Sequence, residues 1–101
     1  MNVVRYVSMI VSLADAVTED LWINGKSRKI PASIHRVALR KLAHLHFAGR
    51  LDDLRAPPGN RLEALGGDRK GQHSIRINHH WRICFIWRDG DAWEVHITDY
   101  H

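Results

Sequence analysis

At 101 residues, 45% of them apolar and 26% charged, the chain has the size and composition of one ordinary globular domain with a modest core. Its single cysteine, Cys84, excludes an intrachain disulfide and a cysteine-built zinc site, and no apolar run is long enough to span a bilayer. The net charge of +4 favours an anionic partner without naming one; residues 55–82, with six bases against two acids, carry the whole of that surplus.

Arg5 ahead of an apolar stretch, with Ala14-Asp15-Ala16 beyond it, imitates a signal peptide. The apolar part is short and broken by Ser8 and Ser12, so these residues are read as belonging to a cytoplasmic protein. Met9 offers an alternative start, with residues 1–8 an N-terminal extension of a single domain spanning 1–101. Residues 9–13 are β-branched and apolar and predict a first strand. Asp15 is placed to cap a helix carrying Val17, Leu21 and Trp22 on one stripe, and Gly25 to end it in a left-handed conformation. After a basic connector with Lys26, Arg28 and Lys29, Pro31 suits the first turn of a second helix. There Ile34, Val37, Ala38, Leu42 and Leu45 form the apolar stripe, leaving His35, Arg36, Arg40, Lys41 and His44 outside. That helix should fade over residues 46–49.

Pro57-Pro58-Gly59 breaks the chain rigidly within a loop over 51–60. Residues 61–65 predict a strand, and the glycine-flanked 66–71 a turn that lacks the sequence of a phosphate-binding P-loop. Residues 72–78 and 81–88 alternate apolar and polar, the signature of half-buried strands, and Asn78-His79-His80 joins them as a hairpin. Arg76 and Arg82 then share the face away from the core, an arrangement of fixed cationic donors that suits phosphate. Asp89-Gly90 is a two-residue turn into a last strand over 93–98, with Trp93, Val95 and Ile97 inward. The expected fold is α+β: two N-terminal helices packed on one face of a small twisted, mainly antiparallel sheet.

Eight histidines invite a metal reading, but none of their spacings is that of a ligand set. Cys84, inside an apolar strand, reads as a buried inert thiol. The ending Asp99-Tyr100-His101 is more telling. A histidine titrates near neutrality and can move protons in phosphoryl chemistry, with Tyr and Asp positioning it. RNA brings its own nucleophile, the 2′-hydroxyl, so such a site needs no metal or other cofactor if arginines stabilise the charged phosphorane. A frayed terminus explains the same three residues, and both readings stay open on pattern alone.

The run PPGNRLEAL–GDRKGQHSIRINHHWRICFIW, followed by the terminal DYH, closely resembles the HigB-type toxins of the RelE/ParE superfamily of bacterial toxin–antitoxin modules. The resemblance extends from about Met9 to His101. It implies a ribosome-dependent endoribonuclease that cuts mRNA in the decoding site and is neutralised by a HigA-type helix-turn-helix antitoxin. Operator DNA would be met only through that complex, and no membrane is involved. It further implies Asp99, Tyr100, His101 and Arg82 as the catalytic set, with Arg69, Lys70 and Arg76 on the RNA backbone, where solvated surface charge is the alternative. One position departs: Gly66 stands where many members have lysine, implying a weaker enzyme. Two other readings remain, a non-enzymatic gyrase inhibitor like the ParE toxins, and a decayed toxin retained for antitoxin binding and operon repression.

Overall fold

A computed structural model describes residues 9–99 of the chain. Two helices, α1 (Ala16–Asn24) and α2 (Ala32–Phe47), pack against a four-stranded antiparallel sheet. Its strands are β1 (Glu63–Ala64), β2 (His73–Arg76), β3 (Trp81–Arg88) and β4 (Asp91–Asp99), lying side by side in chain order. Short 3-10 turns at Leu51–Arg55, Pro58–Asn60 and Gly67–Arg69 fill the connections. Among the described residues no helix is long and apolar enough to cross a membrane.

The helices begin and end where side-chain chemistry dictates. Asp15, in extended conformation, accepts the Thr18 N–H at 2.7 Å, and Gly25 closes α1 at φ 81° with its N–H on the Leu21 carbonyl. Asp15→Ala should therefore lower unfolding stability by about 1 kcal/mol, read as a shift in denaturant midpoint at unchanged slope. Pro31 stands immediately before α2, so its missing N–H costs no helical bond. Leu21, Ala38, Leu42 and Leu45 meet Ile75, Ile83, Phe85 and Val95 in one core, all fully buried. Thr18, equally buried, accepts the Ile97 N–H at its Oγ1 and ties α1 to β4.

Four details differ from the sequence expectation. Residues 9–13 form no strand of their own; they pair parallel to β4 at two isolated bridges, Ile10 with Ala92 and Leu13 with Val95. The irregularity of β4 accounts for this. Cys84 pairs with His96 but Ile86 with Trp93, so β4 carries an extra residue, and Glu94 absorbs it at φ 51°. The bulge shifts the alternation: Ala92, Val95 and Ile97 are buried, while Trp93 turns outward, half-buried beneath the Arg88 guanidinium 4.5 Å from its ring centroid. The third difference is β1, which shrinks from five residues to two because only Glu63 and Ala64 find ladder partners. The fourth is Lys41, predicted outside α2 but buried at 9% exposure, its Nζ 2.8 Å from Asn60 Oδ1.

The two turns flanking β3 are built as the sequence signals. Asp89 and Gly90 both take positive φ, 54° and 80°, the geometry a two-residue hairpin needs. Asn78 closes the other turn, its Oδ1 accepting the N–H groups of His80 and Trp81. On the helix-facing side His73 lies opposite Phe85, the rings stacked with centroids 6.2 Å apart.

The His73 Nδ1 is buried without a hydrogen-bond partner among the described residues. Burial, and secondarily the charge of Arg55, push this imidazole below its ordinary range. The folded chain thus resists a proton that the unfolded chain accepts below about pH 6.5. Stability is lost as pH falls from there to the depressed folded value, and no further below it. His73→Phe keeps the stacking and removes the proton site. Its denaturant midpoint should fall less steeply with acid over that window than that of the unaltered chain.

Candidate active site

Arg82 is the most constrained charged side chain of the sheet. It leaves β3 on the face opposite the helices and is only 6% exposed. Its Nε donates to Ser74 Oγ at 2.8 Å, one Nη donates to the Arg61 carbonyl at 2.8 Å, and the other lies 3.3 Å from Glu63 Oε1. Each partner arrives by register. Ser74 is on the neighbouring strand diagonal to Arg82, and Glu63 is the residue of β1 that faces Ser74. Arg61 stands just before β1 at φ 46°, at the end of the Pro58–Asn60 turn, which aims its carbonyl at the guanidinium. A planar fork held along its edges cannot swing, so its charge acts from a fixed place.

Arg76 pairs with Arg82 across β2 and β3 and therefore shares its face. The two guanidinium groups are kept apart by their partners. Arg76 turns back on the hairpin, donating to the Asn78 carbonyl at 3.1 Å and to His79 Nδ1 at 2.7 Å. Arg69 comes in from the glycine-rich turn: one Nη donates to His96 Nε2 at 2.9 Å and, more loosely, to Gln72 Oε1 at 3.4 Å. Because arginine can only donate, His96 must accept at Nε2 and carry its proton on Nδ1, which meets the Glu94 carbonyl at 3.0 Å. Lys70, on the same turn, is exposed.

Cys84 is fully buried between these groups. Desolvation holds its thiol above the ordinary range, although the charges of Arg69 and Arg82 pull the other way. It is a filler of the sheet, not a nucleophile. Among the described residues no group of three or more His, Cys, Asp or Glu is placed to hold a metal ion.

The sheet thus gathers Arg69, Arg76 and Arg82 on one surface. Asp99 ends β4 opposite Trp81, whereas Thr98 is the residue opposite Arg82, so pleat alternation directs the Asp99 side chain to the other face. Tyr100 and His101 lie outside the described residues. Sequence reasoning singled out the arginines but not what immobilises them. Ser74 was visible as a polar position in phase with Arg82; Glu63 and the Arg61 carbonyl were not, because they depend on a strand too short to show a period.

Comparisons with known proteins show the fold and the family. The structure superposes on the crystal structure of YafQ from E. coli strain BL21(DE3) with a TM-score of 0.54, covering 91% of this chain and 92% of that one at 13% identity. That likeness shows a shared fold. Residues 11–101 match the family model described as RelE-like toxin of type II toxin-antitoxin system HigB, and the chain belongs to that family. It is 41% identical over 90 residues to Toxin HigB-1 of Vibrio cholerae serotype O1, covering 88% of this chain and 95% of the relative. A shorter match, 44% over 41 residues, joins it to Endoribonuclease HigB of Proteus vulgaris, covering 41% of this chain and 45% of that one. A toxin of a type II module implies an antitoxin partner.

Proposed function

We propose that this toxin is a ribosome-dependent endoribonuclease that cleaves mRNA without a metal and is neutralised by a HigA-type antitoxin. The observation that carries the reading is the immobilised Arg82 guanidinium on an arginine-bearing sheet face, in a chain whose sequence ends Asp-Tyr-His. A relative of this chain bears the name endoribonuclease.

In the reaction, the 2′-hydroxyl of a ribose attacks the adjacent phosphorus as a base removes its proton. The 5′ oxygen of the next nucleotide leaves as an acid protonates it. The products are a 2′,3′-cyclic phosphate and a free 5′-hydroxyl, so atoms and charge balance with no outside reactant. His101 is the proton-transfer group and Tyr100 assists it, whereas Asp99, directed to the other face, contributes only through the end of β4 from which the two extend. Arg82 neutralises charge growing on the phosphorane oxygens, a role in which a preset donor needs no reorganisation. Arg69, Lys70 and Arg76 contact the backbone of mRNA or ribosomal RNA.

Primer extension on ribosome-bound mRNA tests this directly. Cuts within translated messages are expected, and double-strand DNA breaks with intact mRNA would instead place the chain among gyrase inhibitors. Deleting His101 should abolish growth arrest while antitoxin binding persists.

Gly66 supplies a second check. A Cβ built there meets nothing within 4 Å, and its φ of −116° suits any residue. Gly66→Lys can therefore be introduced without strain. Adding the charged donor that the family resemblance implies at this position should speed cleavage by about thirtyfold, equivalent to about 2 kcal/mol of barrier. Equal single-turnover rates for the two proteins would remove this position from the reaction.

A further inference from the structure

The cleft between α2 and the Pro58–Asn60 turn holds a cation that nothing among the described residues neutralises. Lys41 is buried mid-helix, and its Nζ makes one hydrogen bond, to the uncharged Asn60 amide. No carboxylate among the described residues pairs with it. Burial, and after it the charges of Arg40 and Arg76, push its ammonium below the ordinary lysine range. A buried charge with cations for neighbours is costly, and an anion would relieve the cost.

The groups that surround Lys41 are fixed in place and carry no negative charge. The Asn60 amide nitrogen donates to the carbonyls of Leu54 and Ala56 at 3.2 and 3.3 Å, which fixes its oxygen toward Lys41. The same nitrogen lies 3.4 Å from His44 Nδ1, so that ring nitrogen accepts and the imidazole proton sits on Nε2. A cavity of about 340 Å³ opens here, lined by Arg40, Lys41, His44, Pro57 and Asn60, with no acid in its wall.

We propose that this cleft is an anion site that takes a backbone phosphate of single-stranded RNA. Phosphate is preferred to a protein carboxylate because Arg76, close enough to act on Lys41, pairs in register with Arg82. A strand lying over Arg82 would meet Arg76 next, and Arg76 is the arginine of the sheet whose charge is felt at Lys41. This choice rests on the ribonuclease reading; the existence of an anion site does not.

The test uses the full-length free toxin and three probes: inorganic phosphate, a 2′-O-methyl oligonucleotide that cannot be cleaved, and an acidic peptide. Binding is read from the Lys41 side-chain ammonium resonance and by titration. Phosphate and the oligonucleotide should both move that resonance, and the oligonucleotide should bind about tenfold more weakly to Arg40→Gln, the loss expected for one charge-assisted contact. Arg40 is exposed, so this variant keeps the core. Lys41→Met, checked for folding by its melting curve and read by titration alone, should no longer bind phosphate. A resonance that neither phosphate nor the oligonucleotide moves would overturn the site. A response to phosphate and the acidic peptide without one to the oligonucleotide would overturn the RNA assignment. Since every probe reports binding, failure here is distinct from failure to cut mRNA.

Discussion

Arg82→Lys is expected to reduce cleavage of ribosome-bound mRNA by about 100- to 1000-fold while the protein still binds its antitoxin. The substitution preserves the charge and most of the apolar stem, so only the fork is lost. That fork now reaches Ser74 Oγ, the Arg61 carbonyl and Glu63 at once, and its direction is set by all three. An ammonium is a point charge on a flexible stem and cannot be held along two edges. It would settle toward a charged partner such as Glu63, and its charge would no longer stand where phosphorane oxygens develop. Each tenfold in rate corresponds to about 1.4 kcal/mol, so the expected loss is about 3 to 4 kcal/mol of transition-state stabilisation. Single-turnover cleavage, with the folded fraction measured by circular dichroism, separates this from unfolding. Arg82→Gln should be no faster than Arg82→Lys, since it also lacks the charge. A lysine variant that cleaves within threefold of the unaltered toxin would mean that the guanidinium serves the sheet alone.

What could be read from the sequence, and what could not, follows from the range of the forces involved. The caps of α1 and the Asp89-Gly90 turn rest on contacts within a few residues, and both stand where Asp15, Gly25 and Gly90 signalled them. The hairpin of β2 and β3 was visible because its period is long enough to count, and the register indeed sets Arg76 beside Arg82. Expectations failed where distant segments meet. The bulge at Glu94 has no local mark in the chain, yet it moves Trp93 to the outer face and breaks the pairing of residues 9–13 into bridges. Helical periodicity likewise cannot show that the Pro58–Asn60 turn, well beyond the end of α2, will return to cover Lys41 and His44, which Asn60 joins to it. The candidate site divides the same way. Its charges were legible as arginines in phase, whereas the clamp on Arg82 depends on where the Pro58–Asn60 turn leaves the Arg61 carbonyl.

Asn60→Ala should destabilise the fold by about 3 kcal/mol, a large share of the ~5–15 kcal/mol that holds a domain together. Asn60 is fully buried, and one amide serves both ends of the loop. Its oxygen takes the Lys41 ammonium, and its nitrogen reaches the carbonyls of Leu54 and Ala56 and the His44 ring. Alanine removes every one of these bonds and leaves a buried ammonium with no partner, the costliest of the orphaned groups. Asn60→Asp separates the contributions. It returns an acceptor, now charged, to Lys41 but offers no donor to the two carbonyls, which then face a carboxylate oxygen. If the lysine dominates, the aspartate variant recovers most of the lost denaturant midpoint near neutral pH; if the loop carbonyls dominate, it melts no later than the alanine variant. Because the same turn carries Arg61 to Arg82, either variant should also slow cleavage per folded molecule. An alanine variant as stable as the unaltered chain would show that water replaces the amide, and that the loop is held by Leu54 in the core rather than by Asn60.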